Sequence, residues 1–319
     1  MISVVTPIFN ERENLAELHR RLVAALESTR DAWEIIFVND GSRDESGNII
    51  RELHAQDPRV KMLTLSRNFG HQPALTAGVR HAAGDCVILL DGDLQDPPEL
   101  IPKLVEKWRE GFQVVLAERA SRAEHGSRRI GSRLFYPLLR WISDLPQGSN
   151  AGIFGLMDRA VVKEFNRLPE RSRFIPGLRQ WLGFKHATVP YDRQERAGGA
   201  PKQSLPRLIH YAADAMFSFS YKPLRVATWA GFLVSGVAFL LGLYYLFEFF
   251  WLKKVPGSGF TTTIICVLFL GGVQLVCTGI LGEYIARIYE EVKQRPLFVV
   301  SDRLGFDTEE VAAPVRIAK

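Results

Sequence analysis

Asp91-Gly92-Asp93-Leu94-Gln95 carries two carboxylates one residue apart and an amide oxygen two positions later. Asp91, Asp93 and Gln95 are therefore hard oxygen donors of the kind that suits Mg2+ or Mn2+. Such a cation would complete its shell with diphosphate oxygens and water. Two further polar clusters, Pro7-Ile8-Phe9-Asn10-Glu11 and Asn39-Asp40-Gly41-Ser42, also follow apolar runs. Taken singly, each has an ordinary reading: a lone Asp-x-Asp is a solvated turn, and Asn-Asp-Gly suggests a hairpin. Carboxylates gathered on one rim repel one another unless a cation or hydrogen-bond donors offset them. The sequence has neither a Gly-x-Gly-x-x-Gly nor a Walker-type loop, so a dinucleotide or P-loop site is excluded.

The elements that must position these clusters read as alternating strands and helices. Ile2–Thr6, Glu34–Val38, Val60–Leu65, Cys86–Leu90 and Gln113–Ala117 are short, apolar and partly β-branched, as buried parallel strands are. Leu15, Leu18, Leu22 and Leu26 mark one face of a helix between the first two, with Asn10 and Glu13 resembling a capping box. Ile49, Ile50 and Leu53 mark a second helix, and Leu100, Leu104, Val105 and Trp108 a third. Such alternation implies an α/β fold with an open, mainly parallel, Rossmann-like sheet, whose ligands bind at the carboxyl ends of the strands. All three clusters lie at such ends. His71 and His81 read as loop or helix residues rather than ligands.

Behind this front lie two apolar stretches, Val226–Leu252 and Thr261–Tyr284. Each exceeds the roughly 20 residues needed to cross a bilayer, so they predict a two-helix transmembrane hairpin with a short loop at Lys253–Phe260. Gly231-x-x-x-Ser235 and Thr278-x-x-x-Gly282 predict close approach of the two helices. Cys86, Cys266 and Cys277 have no metal-ligand spacing and suggest no disulfide framework. The net charge is +5. Arg119, Arg122, Arg128, Arg129, Arg133 and Arg140 crowd one segment, and Lys and Arg flank both apolar stretches. No basic–aromatic module points to nucleic acid. The flanking charges instead predict that the globular front domain and both termini lie on the cytoplasmic side. No signal peptide is expected at Met1-Ile2-Ser3-Val4-Val5. The domain boundaries expected are a globular domain over 1–204, an interfacial helix over 205–225, spans near 226–252 and 261–284, and a cytosolic tail over 285–319. Leu134, Phe135, Leu138, Leu139, Trp141 and Ile142, among the later arginines, predict another amphipathic segment resting on the membrane.

The motifs also carry a family resemblance. Val4–Glu11, Val38-Asn39-Asp40-Gly41-Ser42-Arg43-Asp44 and Asp91–Glu99 resemble the signatures of glycosyltransferase family 2. Ser66–Gln72, Gly152–Arg159, the two spans and Arg295–Val300 resemble its polyprenyl-phosphate branch, that of dolichol-phosphate mannosyltransferases and bactoprenol glucosyltransferases. The resemblance covers about residues 1–300. It implies a GT-A fold and inverting transfer of a hexose from a nucleotide diphosphate sugar to polyprenyl phosphate, undecaprenyl or dolichyl, at a membrane. By the same resemblance Pro7, Phe9, Glu11 and Asp40 hold base and ribose, and Asp91, Asp93 and Gln95 hold metal and diphosphate. Arg119, Arg128 and Ser132, with Arg133 beside them, meet the acceptor phosphate. Arg196 and Lys202 close over the donor phosphates. Asp91, Asp93 and Arg128 are then the residues on which transfer depends most.

Two departures stand out. Gly199-Ala200-Pro201-Lys202 lacks the serine of the usual Gly-x-Ser-Lys, and Gly152-Ile153-Phe154-Gly155 stands where many relatives carry Gly-Asp-Phe-Arg. A carboxylate sometimes proposed as general base is thus absent. A processive polysaccharide synthase and a degenerate nucleotide-sugar-binding membrane protein remain as alternatives. The first lacks support because Arg179-Gln180-Trp181 does not match a Gln-x-x-Arg-Trp element. Donor base, sugar, choice of cation, a homo-oligomeric state and a partnership with a flippase are left open.

Overall fold

The computed structural model describes residues 1–119, 151–171, 173–192, 221–251 and 259–306. They fall into two compact units, one built on a sheet and one containing two long helices. The expected boundary at 204 and residues 205–220 of the interfacial helix expected over 205–225 lie outside the described residues, as do Arg128, Ser132, Arg133, Arg196 and Lys202.

The sheet unit contains β1 (Ile2–Ile8), β2 (Trp33–Asn39), β3 (Val60–Leu65), β4 (Cys86–Leu89) and β5 (Val114–Arg119). These five are the strands that the apolar runs predict. Three more join them: β6 (Ala151–Asp158), β7 (His186–Tyr191) and β8 (Val300–Leu304). The order is β7-β5-β6-β4-β1-β2-β3-β8. β1 pairs in parallel with β2 and β4, β2 with β3, and β5 with β7, whereas β6 and β8 run antiparallel to their neighbours. Every residue of β1 and β2 is buried, which is why these strands read as continuous apolar runs rather than alternating ones.

Between the strands run α1 (Leu15–Ser28), α2 (Ser46–Gln56), α3 (His71–His81), α4 (Ile101–Arg109), α5 (Arg159–Arg167) and α6 (Ile175–Trp181). Leu15, Leu18, Leu22 and Leu26 of α1 are fully buried in the core, as their spacing predicts. Burial of each contributes about 1.5–3 kcal/mol. α3 lies unusually close to the sheet because residue 78 is glycine, and a Cβ there would run into Val5. The capping box does not form. α1 starts at Leu15 with Asn14 at its N-cap and no side-chain cap bond. Asn10 is instead in the left-handed region at φ +55°, and its Oδ1 accepts the Arg43 N–H at 2.8 Å. The polar side chain is used to join two loops, which leaves it unable to cap a helix.

Cys86 is buried in β4, and burial pushes its thiol up to about 12. The thiolate is the reactive form, so native Cys86 should resist maleimide at pH 8 and react only after denaturation. Peptide mass spectrometry separates it from Cys266 and Cys277; rapid labelling of native Cys86 would contradict this burial.

The second unit contains α7 (Lys222–Trp251) and α8 (Phe260–Lys293). Both are long and apolar enough to cross a membrane, over Lys222–Tyr245 and Thr263–Lys293, and neither apolar stretch is buried against protein. α7 starts four residues before the expected Val226. α8 passes Tyr284 and continues to Lys293, because Glu283–Lys293 keeps helical residues and ends on Gln294 in the left-handed region. Among the described residues nothing lies within 4 Å of where a Cβ at Gly231 or Gly282 would stand, so these two glycines are not at a close helix contact.

Candidate active site

The carboxyl ends of β1, β2, β3 and β4 carry four loops that are sewn together by short-range polar contacts. Asp40 N–H donates to Ile8 O at 2.9 Å, Asn10 N–H to Ser42 Oγ at 3.1 Å, and Glu11 N–H to Ser46 Oγ at 3.1 Å. These bonds fix the loop after β1 against the loop after β2. Pro7 is buried, Phe9 is 40% exposed, and Glu11 is half-buried on this edge.

Asp40 is almost completely buried, and its two carboxylate oxygens accept the N–H groups of Phe69 and Gly70 at 2.7 and 2.9 Å. Burial raises its pKa, opposed by those two donors. The carboxylate therefore ties the end of β2 to the loop after β3. Gly41 permits this junction in two ways. Its φ is +69°, and a Cβ would lie 2.7 Å from the backbone of Arg67 and Asn68. Only glycine tolerates both the torsion and the approach without strain.

The loop after β3 delivers His71 to the start of α3, where its Nε2 lies 2.8 Å from Asp91 Oδ1. Burial would lower the His71 pKa, but the Asp91 hydrogen bond and the charges of Asp91, Asp40 and Asp93 outweigh it and raise the value. His71 is thus a member of the acidic rim. Sequence reasoning read it as an ordinary loop or helix residue, because its partner lies 20 positions away.

Along residues 91–96 burial alternates. Asp91, Asp93 and Gln95 are partly open, whereas Gly92, Leu94 and Asp96 are buried. Gly92 packs against the end of β1, with Ile8 Cδ1 only 2.8 Å from where a Cβ would be. Leu94 adopts φ +59°, and Asp93 Oδ1 accepts the Gln95 N–H at 3.2 Å. The turn presents the three predicted donors on its open side.

Among the described residues, no three His, Cys, Asp or Glu side chains converge into a ready-made cation cage. Mg2+ is usually held by one or two carboxylates together with substrate phosphates and waters rather than by an all-protein cage. Asp91 and Asp93 fit that pattern.

At the other side of the sheet, Arg119 ends β5 and Tyr191 ends β7, directly paired in parallel register. Tyr191 Oη donates to Asp96 Oδ1 at 2.5 Å and accepts from Arg119 Nε at 3.4 Å. Arg179 of α6 is fully buried, and its Nη atoms donate to Ile153 O and Gly152 O at 2.9 and 2.7 Å. Burial lowers its pKa to about 10. Its Nη1 lies 2.9 Å from where a Cβ at Gly155 would stand, so the guanidinium fills space that a larger residue there would need.

The geometry now has a counterpart in known proteins. The family model described as glycosyl transferase family 2 matches residues 3–165, which span β1 to α5 and include every loop of the rim. The chain belongs to glycosyl transferase family 2. In this glycosyltransferase a second model, the GtrB C-terminal hairpin, matches residues 222–288, the stretch of α7 and α8. Over 311 residues the enzyme is 42% identical to an uncharacterized glycosyltransferase, YkcC, of Bacillus subtilis, covering 96% of this chain and 95% of that one. It is 42% identical over 300 residues to the SfII prophage-derived bactoprenol glucosyl transferase of Shigella flexneri, covering 94% and 97%. A prophage bactoprenol glucosyl transferase homolog of Escherichia coli is 40% identical over 300 residues, covering 94% and 98%. The glycosyltransferase therefore has the mostly parallel GT-A-like fold expected from its motifs, and it is membrane-associated through a C-terminal hairpin.

Proposed function

We propose that this glycosyltransferase moves one hexose, glucose after the names of its relatives, from a nucleoside diphosphate sugar to the phosphate of a polyprenyl lipid. The observation that carries this reading is the 42% identity to a bactoprenol glucosyl transferase over 94% of the chain, hairpin included. The open acidic rim at the strand ends supports it independently.

In the proposed step an oxygen of the lipid phosphate attacks the anomeric carbon. The bond from that carbon to the diphosphate breaks, and its electron pair leaves on the nucleoside diphosphate with inversion. The attacking group is a phosphate monoester with a second pKa of about 6, so at neutral pH it is already largely dianionic. No proton has to be removed, and Ile153 in place of an acidic residue is no obstacle. Phe9 offers an exposed ring to the base, beside Pro7, Glu11 and Asp40. Asp91, Asp93 and Gln95 would hold Mg2+ or Mn2+, which when bound stabilises charge on the departing diphosphate. Arg119, Arg128 and Arg133 gather the acceptor phosphate through forked, charge-assisted hydrogen bonds, and Ser132 adds a hydroxyl donor. Arg196 and Lys202 close over the donor phosphates. The lysine- and arginine-rich flanks of α7 and α8 favour a cytoplasmic sheet domain and cytoplasmic termini.

A panel of radiolabelled nucleotide sugars offered with undecaprenyl or dolichyl phosphate tests the reading by lipid extraction. One labelled hexose per lipid is expected. A polymer would favour a synthase, and donor binding without any turnover would favour a degenerate binding protein. Arg128→Ala should raise the apparent acceptor KM about 30-fold, the equivalent of about 2 kcal/mol for a lost charge-assisted contact. An unchanged acceptor KM would remove Arg128 from this role.

A further inference from the structure

Asp96 shares a turn with the proposed cation ligands but lies on its buried side, where its Oδ1 accepts from the phenol of Tyr191. A phenol has one proton to give. Here that proton goes to Asp96, which leaves the oxygen lone pairs facing Arg119 Nε. The ring is held by its own burial and by an edge-on contact with Phe154, centroids 5.9 Å apart. The strand register places Arg119 and Tyr191 side by side.

This arrangement differs from a direct ion pair in a way that matters chemically. A carboxylate meeting an arginine directly often takes two parallel N–H bonds from its fork. Among the described residues Arg119 makes no ion pair, and its only hydrogen bond uses Nε. Both Nη groups are left to meet another anion. Burial would lower the Arg119 pKa, but the Tyr191 hydrogen bond and the nearby carboxylates of Asp96 and Asp91 outweigh it. Burial and the Asp96 contact push Tyr191 up to about 12, so the phenol keeps its proton at neutral pH.

We propose that Tyr191 and Asp96 are positioning residues for Arg119, orienting its fork toward an acceptor phosphate while leaving both Nη groups to bind it. The inference rests on the reading of Arg119 as an acceptor ligand. It adds a coupling: the turn that carries Asp91 and Asp93 also fixes, through Asp96, the arginine of the opposite substrate. A disturbance of that turn is therefore felt at the acceptor.

The test uses the full-length enzyme in detergent, with undecaprenyl phosphate as acceptor and separate titrations of donor and acceptor. Tyr191→Phe keeps the ring and its packing but loses both hydrogen bonds. It should raise the acceptor KM about tenfold and leave the donor KM within about twofold, with a modestly lower melting temperature because the buried Asp96 carboxylate loses a donor. Asp96→Asn retains an acceptor oxygen and should produce a smaller rise of the same kind. In Arg119→Lys, which cannot present a fork, adding Tyr191→Phe should change the acceptor KM less than about twofold. If Arg119→Lys raises the acceptor KM but Tyr191→Phe and Asp96→Asn do not, the positioning role is wrong and the acceptor reading stands. If Arg119→Ala leaves the acceptor KM unchanged, both fail. If Tyr191→Phe melts early, the Asp96→Asn split between the two KM values decides.

Discussion

Asp93→Asn is expected to lower transfer by about 10³-fold, a loss of about 4 kcal/mol in transition-state stabilisation. The substitution is nearly isosteric, and the new amide oxygen can still accept the Gln95 N–H that Asp93 Oδ1 accepts at 3.2 Å. The turn should therefore persist while one of two negative charges on its open side disappears. A cation shared between protein and diphosphate depends on that charge, so the loss should fall on metal-dependent binding as well as on turnover. Calorimetry with UDP and GDP, with and without Mn2+, separates the two. The wild-type protein should bind one of them more tightly with Mn2+, and the variant should lose most of that gain. EDTA should silence the wild-type enzyme, and excess Mg2+ or Mn2+ should restore it. Unchanged turnover in Asp93→Asn, or full activity in EDTA, would end the metal assignment.

Asp40→Asn should be nearly as damaging for a different reason. Both oxygens of Asp40 accept backbone N–H groups, from Phe69 and Gly70. An amide has one accepting oxygen, and its NH2 would be set against the second N–H. One charge-assisted bond is lost and a buried donor is left without a partner, costing about 2–3 kcal/mol. The loop it holds leads directly into His71 and hence to Asp91. The donor kcat/KM should fall by about 30- to 150-fold, with the acceptor KM changed far less. A melting temperature well below that of the wild type would accompany it. Equal losses toward both substrates would show that Asp40 supports the whole rim rather than its donor side.

The sequence disclosed the central strands because β1 to β5 are buried runs, and such runs carry their own signal. β6 was legible only as a motif. Gly152 and Gly155 interrupt its apolar pattern, and its antiparallel pairing depends on β4 and β5 across the sheet. β8 reads Val-Ser-Asp-Arg-Leu with three exposed residues, which looks like tail rather than strand. The same division holds in the candidate site. Asp91, Asp93 and Asp40 could be found because each closes an apolar run. Tyr191 could not, because its importance lies in a pairing with Asp96, 95 residues earlier. A second acid after Asp93 in Asp91-Gly92-Asp93-Leu94-Gln95-Asp96 was a usable signal, since alternate residues of a tight turn tend to face opposite ways. Asn10 misled for the converse reason: a residue suited to capping was recruited for a contact 33 positions away.

The return of the chain to the sheet as β8 imposes a rule of parity. Tyr191 closes one strand of the sheet unit, and Val300 opens another, antiparallel to β3. Ser66 N–H donates to Val299 O at 2.9 Å, and Ser301 Oγ to Thr64 O at 3.1 Å. A chain that crossed a bilayer an odd number of times between those two points would end on the wrong side to make these bonds. The two candidate spans among the described residues satisfy the rule, whereas one or three crossings would leave the edge of β3 bare. Loss or gain of a single span should therefore coincide with loss of β8, so the edge strand distinguishes an even number of crossings from an odd one.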